Sequence, residues 1–437
     1  LTEELKKNIE GDLYFDLTMR TLYATDASVY RELPLAVARP KHKQDVQKII
    51  AFANKYKIGI IPRTAGTSLA GQVVGKGIIV DVSKYFTEIY EINTKEKWVR
   101  LQPGIVLDEL NKKLEPLNLF FGPETSTSNR CMVGGMVGNN SCGSHSVIYG
   151  TTRDHLLEIN GFLSDGSEVT FKSLNLEEYN AKLSLDNLEG NIYRFINETL
   201  TNKENQTEIR AEFPKPTINR RNTGFAIDVL LESAPFTEGK EAFNMCKLIA
   251  GSEGTLVFIN DIKLNLIPLP PSIKGVVAVH LNTIAEATRA NLIALSHNPG
   301  AVELLDDIVL QCTKSSIEQS KNRAFVQGDP GALLIVEWAR ETKEEIEELA
   351  KKMEKELRAA GYGYYFPLLW GSDINKIWSL RKAGLGLLGN IPGDMKGVPC
   401  IEDTTVDVND QPAFIDDFQK ILDKHNTKCV FYAHIGD

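Results

Sequence analysis

The chain has 437 residues, more than one hydrophobic core usually holds, so we expect two or more domains. Its hydrophobic share of 42% and charged share of 24% are typical of a soluble globular enzyme, and no stretch approaches the roughly 18 apolar residues of a membrane-spanning helix. A net charge of −9 without a basic block argues against a nucleic-acid partner.

The six cysteines form no CxxC pair and follow no regular spacing, so the sequence contains neither a zinc-knuckle nor an iron–sulfur motif. Such usage favours a reducing compartment. We expect a cytoplasmic location, with peripheral association at the inner face of a membrane as an alternative. The first residue is Leu1 and no signal peptide is visible, which fits a trimmed N-terminus.

The first regular element in the chain is a helix pattern from Pro40 to Lys57. A short buried-strand pattern over 58–62 follows and leads directly into RTAGTSLAGQ (63–72), which has glycines at 66 and 71. A turn of this kind can wrap a pyrophosphate. It lacks the spacing of a Walker loop or a dinucleotide fingerprint, so taken alone it is equally well a structural turn.

The stretch 121–150, FGPETSTSNRCMVGGMVGNNSCGSHSVIYG, is rich in glycine and in serine, threonine and asparagine. Strand patterns over 78–85 and 98–104 and a helix pattern over 106–118 precede it. Glycine lets the main chain approach a ligand closely and short polar side chains add donors, so a ligand with phosphate and ring oxygens would suit this stretch. A solvated loop is the alternative, but apolar residues interrupt the glycines and favour an ordered binding loop.

The middle of the chain contains a hairpin signal, Asp165-Gly166, between two strand patterns. A polar helical region over 174–221 follows, and we interpret its acidic part as a solvated face. GSEGT (251–255) is a tight turn between a helix and a strand. The prolines that come next, Pro268, Pro270 and Pro271, predict a domain boundary.

After this boundary, strand patterns over 276–281, 301–306 and 333–339 alternate with helix patterns. A helix from Thr342 to Gly361 begins with a predicted capping box between Thr342 and Glu345. We expect an antiparallel sheet with helices on one face. The last part predicts a helix containing Trp378 and Arg381, a strand over 398–408, another helix, and the terminal CVFYAHIGD.

Three separated segments, PRTAGTSLAGQ, GGMVGNNSCG and GSEGTLVF, together resemble the flavin-binding fold of the vanillyl-alcohol oxidase and p-cresol methylhydroxylase superfamily. Within it, the chain resembles the branch of D-lactate dehydrogenase, the glycolate oxidase flavin subunit and D-2-hydroxyglutarate dehydrogenase. TDASVYRELPL and NNSCGSHSVIYG are most similar to bacterial members fused to an iron–sulfur part.

The resemblance implies an α+β protein in two parts. Residues 1–267 would form an FAD-binding domain of two α+β subdomains divided near residue 95. Residues 268–437 would form an antiparallel-sheet substrate or cap domain, truncated at its C-terminus.

The resemblance also implies which residues bind FAD. The main-chain N–H groups of Arg63 to Ser68 would hold the pyrophosphate, and Gln72 would close that loop. Where members with covalent flavin carry a histidine, this chain has Thr67 or Ser68, so we expect noncovalent FAD. The residues implied for cofactor binding are Arg63, Thr64, Ala65, Gly66, Thr67, Ser68, Gln72, Pro123, Glu124, Thr125, Thr127, Val133, Gly134, Gly135, Asn139, Asn140, Ser141, Gly143, Glu253, Gly254 and Ile259.

Three residues are candidates for catalysis. Arg381 lies in WSLRKAG, where the family has Trp-x-x-Arg, and a guanidinium can hold a substrate carboxylate through two hydrogen bonds; the alternative is a surface arginine. His434 lies in HIGD, where the family continues to a second histidine and an acidic ligand. The implied divalent metal, such as zinc, would therefore have an incomplete site at His434. Glu402, with Asp403, would line the substrate pocket or form a buried pair held by backbone donors.

The resemblance implies an FAD-dependent dehydrogenase that oxidises a D-2-hydroxy acid of the D-lactate, glycolate or D-2-hydroxyglutarate type. Its electrons would pass to an iron–sulfur centre, a quinone or another carrier. Two alternatives stay open, a non-redox flavoenzyme of the same fold and a non-catalytic FAD-binding subunit of a larger complex. We also expect the chain to be a fragment that binds flavin yet turns over poorly, because it stops inside the His-x-Gly-Asp motif.

Overall fold

The computed structural model describes residues 2–221, 224–394, 396–398, 401 and 404–437. Its three larger sheets follow one another along the chain. The first contains β1 (Asp12–Tyr14), β2 (Ala36–Arg39), β3 (Ile60–Arg63) and β4 (Ile78–Asp81), and its helices are α1 (Thr2–Asn8), α2 (Leu17–Leu22) and α3 (Lys43–Tyr56).

The order in the first sheet is β1-β2-β4-β3, with β2 and β3 parallel to β4 and β1 antiparallel to β2. Helix α3 buries Val46, Ile49 and Ile50 against this sheet, which confirms the predicted helix and its apolar face. RTAGTSLAGQ leaves the carboxyl end of β3, the end of a parallel strand where ligands of α/β sheets usually bind.

The second sheet is antiparallel throughout, in the order β5-β6-β12-β8-β9. Asp165-Gly166 forms the predicted hairpin: Gly166 has a φ of +88°, and the Asp165 carboxylate accepts a hydrogen bond from the backbone N–H of Ser167. The strands of this sheet are β5 (Ile89–Asn93), β6 (Trp98–Leu101), β8 (Leu156–Phe162), β9 (Glu168–Phe171) and β12 (Phe258–Asn265).

Helices and short strands fill the connections of the second sheet. Tyr193 and Leu200 of α9 are fully buried in its core, so the polar helical region also contributes apolar packing. The helices are α4 (Leu107–Leu114), α5 (Val133–Asn139), α6 (Ser146–Tyr149), α7 (Thr152–His155), α8 (Leu176–Leu183), α9 (Leu188–Thr201), α10 (Lys203–Glu212), α11 (Ile227–Leu231) and α12 (Cys246–Ile249). The short strands are β7 (Leu119–Phe120), β10 (Ser173–Leu174), β11 (Phe243–Asn244) and β13 (Ile267–Pro268).

The third sheet is antiparallel, in the order β17-β14-β16-β15-β18. Its strands are β14 (Ile273–Leu281), β15 (Ala301–Asp306), β16 (Ala332–Arg340), β17 (Leu368–Leu369) and β18 (Tyr432–His434). The helices of this part are α13 (Ile284–Ser296), α14 (Asp307–Ser315), α15 (Lys343–Ala359), α16 (Ser372–Leu387) and α17 (Gln411–Lys424).

The expectation of helices on one face of this sheet is wrong, because both faces are covered. Val277 and Val279 of β14 pack with α13 and α15, whereas Val276 and Ala278 pack with α14 and α16. The apolar runs within β14 and β16 indicate in the sequence that both faces are covered, since a strand with one solvent-exposed face alternates in polarity.

Other expectations for the C-terminal part need correction. The described residues of 398–408 contain no strand. Thr342 does cap α15, accepting a hydrogen bond from the Glu345 backbone N–H at 3.3 Å, and this is half of the predicted capping box. The division at residue 267 stays a prediction. Among the described residues, no helix combines the length and apolarity needed to cross a membrane.

Candidate active site

A cleft of about 2150 Å³ is lined by all three glycine-rich segments, 63–72, 121–150 and 251–255. Small-molecule pockets usually measure roughly 300–1,000 Å³, so this cleft has room for a large cofactor together with a small substrate. The predicted cofactor residues that line it are Arg63, Thr64, Ala65, Gly66, Thr67, Ser68, Gln72, Thr125, Thr127, Gly134, Gly135, Asn139, Ser141, Glu253, Gly254 and Ile259.

Five predicted cofactor residues do not line the cleft: Pro123, Glu124, Val133, Asn140 and Gly143. Val133 is in the hydrophobic core. Asn140 is fully buried, and its Oδ1 accepts a hydrogen bond from the backbone N–H of Arg153 at 2.8 Å. Val133 and Asn140 are therefore buried residues next to the segments that line the cleft.

Gln72 joins the three segments. Its Nε2 donates to Asn139 Oδ1 at 3.1 Å and to Glu253 Oε1 at 3.0 Å, while Ser68 Oγ donates to its side-chain oxygen. Glu253 has a φ of +55° and its backbone N–H donates to the Gly138 carbonyl at 2.8 Å. One amide side chain therefore fixes the relative positions of segments far apart in the sequence.

Close backbone approach explains Gly135. A Cβ atom there would lie 2.7 Å from Thr64 Oγ1, so a side chain at this position would have to displace the Thr64 hydroxyl for α5 to keep its approach to the 63–72 loop. The Arg63 guanidinium donates to the Thr25 carbonyl at 2.9 Å, which leaves the loop to bind a ligand mainly through main-chain N–H groups and hydroxyls. Such a donor set fits a pyrophosphate-containing flavin cofactor.

The same cleft is lined by Arg381 of α16 and His434 of β18, which the structure brings together through Glu303. Glu303 Oε2 lies 2.6 Å from Arg381 Nε and 2.5 Å from Arg381 Nη2, and Glu303 Oε1 lies 2.5 Å from His434 Nδ1. The Arg381 guanidinium also lies 3.5 Å from the centre of the Tyr432 ring.

The electrostatics of this group differ from the sequence-based expectation. Arg381 is only 4% exposed, and its Nε and Nη2 edge holds an internal carboxylate, so Nη1 is the nitrogen left for a ligand. Burial raises the pKa of Glu303, but the positive charge of Arg381 and the hydrogen-bonded contact with His434 outweigh burial and lower it to about 2. Glu303 is therefore a carboxylate at neutral pH.

Neither Glu303 nor Tyr432 was among the site residues predicted from the sequence. A signal for Glu303 exists, since it is a charged residue inside the buried strand AVELLD, and charged side chains in such positions are normally paired. Its partners lie on α16 and β18, far along the chain, so local pattern cannot identify them.

A second charge cluster lies between the 121–150 stretch and the third sheet, centred on the buried Glu337. His145 Nδ1 contacts Glu124, and His145 Nε2 lies 2.8 Å from Glu337 Oε1 of β16. Trp378 Nε1 donates to Glu337 Oε2 at 2.7 Å, and Lys274 Nζ donates to Oε1 at 3.1 Å. Both ring nitrogens face carboxylates, so His145 is an imidazolium.

The pKa values follow from these contacts. Burial lowers the pKa of His145, but Glu124 and then Glu337 raise it to about 10. Burial raises the pKa of Glu337, but His145 and then Lys274 lower it to about 2.

Helix α16 is fixed to the third sheet by both acids. Glu303 pairs with Ile335 in the register of β15 and β16, and Glu337 lies two residues further, so the acids share a face. Trp378 and Arg381 are three residues apart on one side of α16 and bond Glu337 and Glu303 respectively.

Two predictions find no support. Glu402 and Asp403 lie outside the described residues. Within the described part of the chain, no group of three or more histidine, cysteine, aspartate or glutamate side chains is arranged to hold a metal, so zinc at His434 is unsupported.

Comparison with known families gives two matches. Residues 34–172 match the FAD binding domain, and residues 270–437 match the C-terminal domain of FAD linked oxidases. The cofactor of this domain therefore agrees with the chemistry of the cleft.

Two curated relatives span nearly all of the chain. The chain is 33% identical, over 98% of its length, to D-2-hydroxyglutarate dehydrogenase of Haemophilus influenzae, and it spans 42% of that protein. It is 22% identical, over its full length, to glycolate oxidase subunit GlcD of Bacillus subtilis, spanning 80% of it. The chain thus covers less than half of the first relative.

Solved structures agree on the fold. An alkyldihydroxyacetonephosphate synthase superposes with a TM-score of 0.61 at 17% identity, over 97% of this chain and 74% of the other. Identity at this level supports the fold alone. The mixed α+β architecture with antiparallel sheets is that of the vanillyl-alcohol oxidase type.

Proposed function

Because the chain belongs to the FAD-linked oxidoreductases in which an FAD binding domain precedes the FAD linked oxidase C-terminal domain, we propose that it oxidises a D-2-hydroxy acid to the 2-oxo acid. D-2-Hydroxyglutarate is the first substrate to test, since relatives at about 30–33% identity are named for it. Glycolate and D-lactate follow.

The observation that carries this proposal is the shared cleft. The glycine-rich segments and the pair Arg381 and His434 line one continuous space. Arg63 to Ser68, Gly134, Gly135 and the Glu253-Gly254 turn would hold FAD, which supplies a hydride acceptor when bound. Oxidation of a 2-hydroxy acid requires a cation for the substrate carboxylate and an acceptor for the hydroxyl proton, and both kinds of group line this space.

Each side chain has a defined part in the proposed reaction. Nη1 of Arg381 binds the substrate carboxylate, because Nε and Nη2 already hold Glu303. Nε2 of His434 takes the hydroxyl proton, because Nδ1 donates to Glu303. The nearby Tyr432 ring stacks on the guanidinium and keeps its plane fixed.

FAD is held without a covalent bond in this proposal, since no histidine occurs in the 63–72 loop. Acid precipitation would release the yellow colour into the supernatant, and flavin left in the pellet would contradict noncovalent binding. The electron acceptor is a carrier other than oxygen, such as an iron–sulfur centre or a quinone.

The test is anaerobic bleaching of the bound flavin by D-2-hydroxyglutarate, D-lactate and glycolate, each compared with its L-enantiomer where one exists. Bleaching by one D-acid supports the proposal and names the substrate. A flavin-loaded protein that no acid bleaches would favour a non-redox flavoenzyme or a non-catalytic subunit.

A further inference from the structure

Glu303 is a fully buried carboxylate in the middle of β15, a strand that is buried along its whole length. Its neighbours Val302 and Leu304 pack in the hydrophobic core of the third sheet. A buried charge costs several kcal/mol unless it is paired, and apolar residues in place of a whole buried ion pair are often at least as stable. Stability alone therefore does not explain why a carboxylate lies here.

The contacts of Glu303 are divided evenly between two groups of the cleft. Oε2 lies within 2.6 Å of both Arg381 Nε and Arg381 Nη2, while Oε1 lies 2.5 Å from His434 Nδ1. Glu303 itself does not line the cleft, whereas both partners do. The Glu303 carboxylate thus does not face the cleft itself, but it binds two side chains that do and that can contact a ligand.

The fold fixes both partners independently. His434 lies directly opposite Glu303 in the pairing of β18 with β15. Arg381 lies on α16, whose Ile377 and Leu380 are buried against the same face of the sheet. The pairing of β18 with β15 therefore places His434 beside Glu303, and the packing of α16 on the sheet places Arg381 beside the same carboxylate.

We propose that Glu303 is a positioning residue of the active site, and that its single carboxylate orients Arg381 and His434 toward the same substrate. This inference rests on the proposed oxidation of a 2-hydroxy acid. Rigid placement matters because Arg381 binds the carboxylate and His434 takes the proton of the adjacent hydroxyl group. Two separately mobile side chains would seldom meet both groups at once.

The contact also fixes the tautomer of His434. A carboxylate can only accept hydrogen bonds, so the proton of the neutral imidazole must lie on Nδ1. Nε2 then carries the lone pair and can accept a proton. Without Glu303, nothing in this contact set would favour that tautomer over the other.

The first test reads the tautomer directly, without turnover. Nitrogen-15 histidine is incorporated into the FAD-loaded protein, and the His434 signal is identified as the one lost in His434→Gln among the 7 histidines. We expect the Nδ1–H form, and we expect Glu303→Gln to populate the Nε2–H form. A wild-type His434 that carries a proton on Nε2 would overturn the proposal.

The second test is anaerobic flavin reduction by D-2-hydroxyglutarate in Glu303→Gln and Glu303→Asp. An amide has one accepting oxygen and a donating NH₂ group, so it cannot serve both Arg381 and His434. We expect the limiting rate in Glu303→Gln to fall about 10–100-fold, the effect of losing such a support, with a raised half-saturation concentration and unchanged FAD content. Glu303→Asp keeps the charge and should recover part of the rate.

Asp45→Asn is the matched control, because Asp45 is equally buried and accepts backbone hydrogen bonds far from the cleft. It should lower the thermal midpoint without changing the reduction kinetics. Unchanged kinetics in Glu303→Gln would reduce Glu303 to a structural ion pair. If no acid bleaches the wild-type flavin, the proposed function fails, and the tautomer measurement still tests whether Glu303 orients His434.

Discussion

His145 Nε2 lies 2.8 Å from Glu337 Oε1, and this contact joins the 121–150 stretch to the third sheet. His145 also holds Glu124, so one imidazolium lies between two carboxylates. Glu337 in turn bonds Trp378, three residues before Arg381 on α16. The stretch that lines the cofactor side of the cleft is therefore connected to the helix that carries the proposed substrate cation.

We expect His145→Gln to lower the free energy of unfolding by about 3 kcal/mol, because removing one partner of a buried pair leaves uncompensated charge. Lys274 remains beside Glu337 and limits the loss. Denaturant unfolding of the two proteins measures the difference. His425→Gln, at an exposed histidine, should leave stability unchanged.

The stabilising effect of His145 should depend on pH in a defined direction. Its folded pKa is raised to about 10 from an ordinary 6.5, so its contribution is complete below about 6.5 and is lost as the pH rises through 10. The pKa of Glu337 is lowered to about 2 from 4.5, so its contribution is present above about 4.5 and is lost as the pH falls through 2. The stability difference between wild type and His145→Gln should therefore be largest between about pH 4.5 and 6.5. A difference that stays constant up to high pH would contradict the ion pair between His145 and Glu337.

Gln72→Ala should weaken FAD binding about tenfold, the scale of one or two lost hydrogen bonds. Gln72 holds Asn139 and Glu253 in place, so its loss loosens three segments at once. Titration of apoprotein with FAD measures the dissociation constant. Gln47→Ala is the control, since Gln47 donates to the Gly166 carbonyl on the exposed surface, and equal affinities in all three proteins would exclude the role of Gln72.

Gly135→Ala should reduce FAD retention by displacing Thr64, whose Oγ1 would lie 2.7 Å from the new methyl group. Overpacking of this kind costs about 1–3 kcal/mol. The FAD content after desalting, together with the thermal midpoint, gives the readout. Gly59→Ala adds a methyl group where no atom lies within 4 Å, so its flavin content should match the wild type.

Local pattern was sufficient for much of this fold. The helix α3, the Asp165-Gly166 hairpin and the strand–turn unit at 60–72 follow from periodicity and turn chemistry, which depend on neighbours in the sequence. The three glycine-rich segments could be assigned to one cofactor through resemblance, and all of them line the same cleft.

Contacts between segments that lie far apart in the sequence could not be predicted from local pattern. Helices on both faces of the third sheet depend on where α14 and α16 pack, and the only local signal was the apolar runs inside β14 and β16. The role of Glu303 depends on the register between β15 and β18, strands separated by more than a hundred residues. The glutamate in AVELLD cannot by itself specify such partners.

Arg381→Lys should weaken the apparent affinity for D-2-hydroxyglutarate far more than it changes FAD content. A lysine ammonium is one point charge on a flexible stem, so it can stay with Glu303 or meet the substrate carboxylate, but it cannot present a fixed fork to the first and a free nitrogen to the second. The expected loss is about 1.5–3 kcal/mol, the scale of a hydrogen bond to a charged group.

The measurement is the substrate dependence of anaerobic flavin reduction, with FAD content determined on the same samples. Arg358→Lys is the control, because Arg358 is an exposed residue of α15 that bonds Glu354 within its own helix. It should match the wild type in both quantities. An Arg381→Lys protein with normal flavin and an unchanged substrate dependence would show that Arg381 only balances the buried charge of Glu303, and the carboxylate-binding cation would then have to be sought among other cleft residues such as Lys382.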